Sequence, residues 1–332
     1  LQQDNLPETT KGIPDLVWIK NRDASDSHQL YDSTRGPRID FNPDGNGVES
    51  TTADGLQKFI KGGCQIEDDV SINTNGESYV SWNWVAGGGT TTANTDGSGA
   101  TLASTTQVNQ DAGFSIISYT GNGTTGAKIA HGLSQKPKWF ILKGRSMTTN
   151  HYVYHEKIGA DYFLYLNLPN AKYTGVTTPW NDTEPTDKII TLMGTGYGGN
   201  NNNETYMVYA WHEVPGFSRF GTYKGNANAD GPFIFLGFKP SWLLIKNADR
   251  SVDWIVIDNK RDRFNNNVSS LLKPSATSTE SEANNQGIDL LSNGFKVRQS
   301  SSNAFNASGE NHVYMAFAEH PFVGNGTSPV TA

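Results

Sequence analysis

Residues 137–143 read PKWFILK, and this short pattern decides how the chain is organised. It joins a proline, one polar residue, four apolar residues and a lysine. The same pattern occurs at residues 14–20 (PDLVWIK) and 240–246 (PSWLLIK). One such match would mean little, but three matches at spacings of a little over a hundred residues indicate tandem repeats of domain size.

Two further signatures keep register with this pattern. An apolar run closes each of the three copies, at residues 79–84, 206–211 and 312–317. A Tyr-x-Gly element precedes copy two at residues 118–123 and copy three at residues 222–226. Copy one lacks this element, as expected if the sequence begins inside it. Three signatures in a common order favour one ancestral unit that was copied and fused.

The repeats and the composition of the segments between them predict the domain bounds. We expect a truncated first β repeat at residues 1–89, a flexible linker or surface loop at 90–112, a second repeat at 113–219, a third repeat packed on the second at 220–325, and a tail at 326–332. The linker is rich in Gly, Thr, Ser and Asn, which is typical of flexible connections.

The local pattern predicts strands. Each proline-led run has strand length, is rich in aromatic and branched residues, and is bounded by turn residues. Proline is tolerated at the first position of a strand, where its missing N–H is not needed. Residues 54–61 are the best helix candidate. We therefore predict an all-β fold of tandem β-sandwich or jelly-roll-like modules. The aromatic residues of the repeated runs are expected in the core: Trp18, Trp84, Trp139, Trp211, Trp242 and Phe317.

Composition excludes several classes of protein. The chain has 332 residues, 26 Lys+Arg against 33 Asp+Glu, and a formal net charge of -7, so its balance argues against a nucleic-acid binder. No apolar stretch approaches the roughly 20 residues of a membrane helix. The single Cys64 excludes an internal disulfide framework and a cysteine-based zinc cluster.

Five segments resemble a known family. They are residues 15–22 (DLVWIKNR), 118–124 (SYTGNGT), 214–218 (VPGFS), 291–296 (LSNGFK) and 314–319 (YMAFAE). These phrases are similar to tail-fibre-like virion proteins of marine bacteriophages, cyanophages especially. The resemblance implies a structural virion component that is assembled in the host cytoplasm and later faces the host surface. It brings no catalytic motif and no cofactor.

A search for reaction chemistry finds weak candidates only. Asp182, Glu184 and Asp187 lie close together, as the carboxylates of a glycoside hydrolase must, although such acids in a Pro/Thr loop are usually solvated. His28 and His151 occupy the slot that Trp254 fills in copy three, which favours packing over metal binding. We expect no catalytic residue and no metal site.

Sugar binding is the better hypothesis for a ligand site. Sugar sites combine an aromatic platform with directional amide and carboxylate groups. The aromatic residues that strand periodicity explains least lie in loops, beside candidate polar groups: Tyr173, Trp180, Asn181, Asp182 and Tyr197. Alternatively, Trp180 packs inside its own module, as most tryptophans do.

We therefore expect a non-enzymatic virion protein, most simply a tail fibre or host-receptor-binding part with glycan recognition. Its partners would be copies of itself, as a homotrimer, and other virion proteins, without nucleic acid or membrane insertion. A capsid or neck decoration protein and a polysaccharide depolymerase are the alternatives.

Overall fold

The computed structural model describes residues 12–89, 92–94, 99–173, 179–261, 270–282, 287–300 and 302–321. The chain forms two compact units. Unit 1 comprises Leu1–Phe163 with Thr174–His212, and unit 2 comprises Leu164–Tyr173 with Glu213–Ala332. Copy one and most of copy two therefore belong to the same unit, and copy three forms the other together with residues 164–173 of copy two.

The described residues form 25 strands. Those of copy one are β1 (Leu16–Asn21), β2 (Gln29–Asp32), β3 (Ile39–Phe41), β4 (Ser50–Thr51), β5 (Leu56–Ile60), β6 (Gly63–Ile66) and β7 (Tyr79–Trp84). There follow β8 (Thr92–Asn94), β9 (Ser104–Asn109), β10 (Phe114–Thr120), β11 (Lys128–Ala130), β12 (Trp139–Gly144), β13 (Tyr152–His155), β14 (Leu164–Tyr165), β15 (Ile189–Thr191) and β16 (Thr205–Trp211). The last are β17 (Ser218–Lys224), β18 (Phe233–Phe235), β19 (Pro240–Asn247), β20 (Ile255–Asp258), β21 (Ser270–Leu271), β22 (Ser281–Glu282), β23 (Ile288–Leu291), β24 (Gly294–Val297) and β25 (Asn311–Ala318).

Helices are few and short in this part of the chain. One α-helix, α1 (Val70–Asn73), begins after Asp69, whose side chain accepts the N–H of Ser71. A 3-10 turn covers Thr195–Tyr197. The helix expected at residues 54–61 is wrong, because β5 and β6 form a hairpin there with Gly62 at a φ of 82°. None of the described helices has the length and hydropathy of a membrane span.

The repeat predicted from sequence is a repeat of structure. In each copy the proline-led strand is central and antiparallel to both of its neighbours. The central strands β1, β12 and β19 pair with β2, β13 and β20 on one side and with β7, β16 and β25 on the other. The registers are equivalent: Leu16 pairs with Trp84, Trp139 with Trp211, and Trp242 with Phe317. The all-β, sandwich-like fold is confirmed.

Unit 2 shows how two sheets enclose a core. A four-stranded sheet of order β17-β25-β19-β20 carries Leu243 and Ile245, and a three-stranded sheet of order β18-β24-β23 carries Phe295 and Val297. These four residues belong to one buried cluster, so the two sheets pack face to face. The opposite face of the three-stranded sheet points away from this core.

Unit 1 contains a five-stranded sheet of order β4-β3-β2-β1-β7 and a larger sheet that includes β13-β12-β16-β10-β9-β8. β9 covers residues 104–109, which the composition had assigned to a linker. It pairs along its whole length with β10, so this polar segment is held by ladder hydrogen bonds despite its composition. Alternating burial of its Ser and Thr side chains replaces the usual apolar alternation.

Five of the six aromatic residues expected in the core are buried. Trp139 is fully buried, and four other aromatic residues are at most 7% exposed: Trp18, Trp211, Trp242 and Phe317. Trp84 is half-buried instead. Its strand β7 ends the five-stranded sheet, so no neighbouring strand covers it from the outer side as β10 covers β16. The slot shared by His28, His151 and Trp254 is fully buried in all three copies, as predicted.

The lysine that ends each repeated motif is also buried, although lysine rarely is. Lys20 donates to the carbonyl oxygens of Asn21 and Ala24 at 2.6 and 3.1 Å. Lys246 donates to that of Arg250 at 2.9 Å. Lys143 donates to that of Gly144 at 2.9 Å. Each ammonium group thus closes the turn that follows its own strand.

Candidate functional site

Trp180, the central residue of the predicted sugar site, lies inside unit 1. It is 1% exposed, and its indole N–H donates to the carbonyl oxygen of Tyr162 at 3.0 Å. Its ring meets Phe140 edge-on at a centroid distance of 4.7 Å. The ring therefore offers no free face to a ligand, and the packing alternative describes its place.

The other four predicted residues lie in different local settings. Asn181 and Asp182 follow in a left-handed turn with φ of 52° and 45°. Tyr197 is half-buried, and its carbonyl oxygen accepts the hydroxyl of Tyr152. Tyr173 is 37% exposed and belongs to unit 2, whereas the rest belong to unit 1.

Glu184, in the acidic cluster next to Trp180, forms an ion pair with Lys136. Glu184 accepts hydrogen bonds from Lys136 at 2.9 Å and from the N–H of Ala160 at 2.9 Å. Partial burial alone would raise the pKa of Glu184, but the hydrogen bonds from Lys136 and Tyr154 hold it below its ordinary value. Glu184 is thus an ionised carboxylate at neutral pH and cannot serve there as a general acid.

The loop around Asp44 carries carboxylate and carbonyl oxygens, the ligands that calcium prefers, but they are engaged by protein groups. Asp44 accepts the backbone N–H of His28 at 2.8 Å. The carbonyl oxygen of Gly47, which could face a cation, accepts the ammonium group of Lys143 at 2.6 Å. Within the ranges that the structure describes, no three His, Cys, Asp or Glu side chains are grouped as metal ligands would be.

The most exposed pair of aromatic rings lies on the outer face of the three-stranded sheet of unit 2. Phe233 and Phe235 are 45% and 56% exposed, while Ile234 between them is buried in the core. Because strand side chains alternate between faces, both phenyl rings point away from the sandwich, about 7 Å apart along the strand. We call Phe233, Phe235 and their cross-strand neighbours Gly294 and Lys296 the aromatic face.

Gly294 shapes this face. It lies opposite Phe235, and a Cβ atom at this position would come within 2.0 Å of the carbonyl oxygen of Ile234 and 3.2 Å of the Phe233 ring. Only glycine fits there. The backbone of Ile234 and the Phe233 ring already fill the space that a side chain would need.

Charged groups border the aromatic face. Lys296, which lies opposite Phe233, forms an ion pair with Asp230 at 2.7 Å, and the Asp230 side chain is 83% exposed. The guanidinium group of Arg219 lies 6.0 Å from the centre of the Phe235 ring. The hydrogen bond from Lys296 lowers the pKa of Asp230, so this carboxylate stays ionised and can accept hydrogen bonds. The arrangement combines two apolar ring faces with polar groups at their margin.

These residues are not among the site residues expected from the sequence. The run FIF places aromatic residues at both outward positions of β18. The available signal was a short strand, directly after Gly231 and Pro232, whose residues are apolar on both faces.

Comparison with known proteins gives one match. The sequence profile of a family described as Domain of unknown function (DUF7483) matches residues 5–321. No curated protein and no solved structure matches the chain.

Proposed function

The chain belongs to the DUF7483 family, and we propose that it is a non-enzymatic structural protein of a bacteriophage virion that attaches to a host-surface glycan through the aromatic face. The aromatic pair Phe233 and Phe235 carries this proposal. Phe233 and Phe235 expose two large apolar rings side by side on one strand. A contiguous apolar patch of this kind on a protein surface marks a binding site. The virion part of the proposal is supported by the resemblance of five sequence segments to tail-fibre-like proteins.

The chemistry of the aromatic face suits a sugar. The C–H groups on one side of a pyranose ring form an apolar surface that can stack on Phe233 and Phe235. The hydroxyl groups at the rim of the sugar require donors and acceptors, which Lys296 and the ionised Asp230 supply.

A structural role also needs an assembly. We propose a homotrimer that contacts other virion proteins, because fibre proteins commonly cover their strand edges by symmetric association. A decoration protein of the capsid or neck would use the same aromatic face as an assembly contact. Sedimentation of the purified chain gives the number of copies directly.

Glycan binding is tested with an array of bacterial surface oligosaccharides. We expect the wild-type chain to bind, and the double variant Phe233→Ala, Phe235→Ala to lose the signal at least about tenfold. Val70→Ala is the matched control, because Val70 is a 67% exposed apolar residue outside the aromatic face. Undiminished binding by the double variant would refute the role of the aromatic face. No binding by the wild type, together with capsid labelling by antibody, would favour decoration.

A further inference from the structure

The three copies differ at one edge of their central sheets. The closing strand of copy two, β16, pairs with β12 on one side and β10 on the other, and β25 of copy three pairs with β19 and β17. The equivalent strand of copy one, β7, pairs with β1, and no strand of the described ranges pairs with its outer side. All but one residue of β7 are only half-buried, whereas β16 and β25 are buried beyond their first residue.

Backbone groups of β7 point outward at every second residue. The N–H of Arg22 donates to the carbonyl oxygen of Ser78 at 2.8 Å, so the backbone of Ser78 faces β1. In an antiparallel ladder these directions alternate. The N–H and C=O groups of Tyr79, Ser81 and Asn83 therefore face the open side.

In copies two and three an additional strand, β10 or β17, pairs with the outer side of the closing strand. Copy one keeps the residues that hold this additional strand in the other copies. A seven-residue pattern begins with Asn, has a left-handed Gly or Asn at its fourth position, then Glu, and ends in an aromatic ring or imidazole. The pattern occurs at Asn73, Gly76, Glu77 and Tyr79, at Asn200, Asn203, Glu204 and Tyr206, and at Asn306, Gly309, Glu310 and His312.

The asparagine at the start of the pattern binds the Tyr-x-Gly-Asn end of the additional strand. In copy two, Oδ1 of Asn200 accepts the N–H of Asn122 at 3.1 Å. In copy three, Oδ1 of Asn306 accepts the N–H of Asn226 at 2.8 Å. Both receiving asparagines are fully buried, while Asn73 of copy one lies exposed.

The backbone carbonyl group of the glutamate in the pattern accepts a hydrogen bond from the N–H of the glycine in the additional strand. The carbonyl oxygen of Glu204 accepts the N–H of Gly121 at 2.8 Å, and that of Glu310 accepts the N–H of Gly225 at 3.1 Å. A Cβ atom on Gly121 would come within 2.2 Å of a backbone oxygen, and one on Gly225 within 2.3 Å. The contact therefore requires glycine in the incoming strand. Glu77 offers the same carbonyl position in copy one.

The last residue of the pattern stacks on the tyrosine of the additional strand. Tyr119 stacks on Tyr206 at 4.8 Å with an interplanar angle of 11°, and Tyr223 stacks on His312 at 4.9 Å and 9°. Tyr79 holds this position in copy one. Its ring is half-buried.

We propose that the outer edge of β7 is a docking site for an antiparallel strand of the β10 and β17 type, ending in Tyr-x-Gly-Asn. The incoming tyrosine stacks on Tyr79, its glycine N–H donates to the carbonyl of Glu77, and the N–H of its asparagine donates to Asn73. Main-chain bonds to the outward groups of Ser81 and Asn83 provide affinity, and the Tyr-x-Gly-Asn end provides register and specificity.

The proposal is tested with a synthetic peptide of residues 218–227, SRFGTYKGNA, added to the full chain. We expect one peptide to bind per chain by calorimetry. Hydrogen exchange at the amides of Tyr79, Ser81 and Asn83 should slow by at least about tenfold on binding. The same peptide carrying Gly225→Val should bind at least about tenfold more weakly, because its side chain meets the backbone of copy one.

Two chain variants separate the edge from the rest of the fold. Ser81→Pro removes an outward N–H without touching the ladder with β1, and it should abolish peptide binding. Ile60→Ser, at an apolar residue of β5 that is 45% exposed, is the control and should bind as the wild type does. Equal affinity for the native and Gly225→Val peptides would overturn the proposal. So would a chain that sediments as a dimer and becomes monomeric on Ser81→Pro, because β7 would then pair with a second copy.

Discussion

The ammonium group of Lys143 donates a hydrogen bond of 2.6 Å to the carbonyl oxygen of Gly47, and this bond joins copy two to copy one. Two other contacts run between the same copies: Arg145 pairs with Glu49 at 2.8 Å, and the hydroxyl of Tyr209 donates to Asp32 at 2.7 Å. These buried and half-buried polar contacts explain why copies one and two form a single unit. They also give the repeated lysine a structural role that can be measured.

Removing the lysine of copy three should destabilise unit 2. Burial lowers the pKa of Lys246 to about 7, so at pH 8 the amine is largely neutral and carries little charge penalty. Lys246→Met fills the same space but leaves the carbonyl oxygens of Asn247 and Arg250 without their donor. We expect a loss of about 1–3 kcal/mol in the free energy of unfolding at pH 8.

Chemical denaturation measures this loss. Lys260→Met, at an exposed lysine of the same unit, should change stability by less than about 0.5 kcal/mol. Equal effects of the two substitutions would show that the buried ammonium groups do not hold the turns.

Equivalent tryptophans should differ in their contribution to stability. Trp211 and Trp84 occupy the same position in their copies, but Trp211 is 3% exposed and Trp84 is half-buried at the sheet edge. We expect Trp211→Ala to cost about 3–5 kcal/mol, within the range for large core residues, and Trp84→Ala to cost less than half as much. Thermal melts of both variants decide the comparison. If Trp84→Ala proved as damaging as Trp211→Ala, the edge position of β7 would be in doubt.

The buried pair Arg35–Asp32 should be far more important than an exposed pair. Both side chains are fully buried, and Arg35 also donates to the carbonyl oxygen of Leu30 at 2.7 Å. Arg35→Met leaves the carboxylate of Asp32 in the core without its cation, which costs about 3–5 kcal/mol.

The control for this pair is Arg250→Met. Arg250 pairs with Glu310, and its side chain is 46% exposed, so solvent screening leaves this pair little effect on stability. Urea unfolding of the two variants should therefore give clearly separate midpoints. Coincident midpoints would contradict the account.

Acid should weaken unit 2 through His312. Burial lowers the pKa of His312 to about 4, below the ordinary 6.5, despite the opposing hydrogen bond to the carbonyl of Glu310. The unfolded chain therefore binds a proton more readily between these values, so stability is complete above pH 6.5 and falls as the pH drops to 4. The full shift corresponds to a loss of about 3 kcal/mol.

This dependence is measured from unfolding midpoints at several pH values between 6.5 and 4. His312→Gln should flatten the curve, while His320→Gln, at an exposed residue, should leave its slope unchanged. An unaltered slope in His312→Gln would show that this imidazole does not titrate as described.

The repeated strands could be predicted from the sequence, whereas the exposure of individual aromatic side chains could not. The apolar runs around Trp139 and Trp242 predicted buried central strands correctly, because the length of each run, its apolar pattern and its recurrence in the chain all pointed to the same structure. The burial of Trp180 was not decidable from its loop context, since long-range packing on Phe140 determines it. The exposure of Phe233 and Phe235 could not be predicted, because the local sequence pattern does not show which face of a strand packs against another sheet.

Amide hydrogen exchange of the isolated chain tests the central claim, that one architectural unit occurs three times and that, within the described residues, only the closing strand of copy one has no strand on its outer side. We expect slow exchange at Tyr206, Val208 and Ala210 of β16, whose N–H groups face β10. The equivalent amides of β7, those of Tyr79, Ser81 and Asn83, should exchange at least about a hundredfold faster. Equal protection of the two sets would contradict the account, because β7 would then be covered as fully as β16.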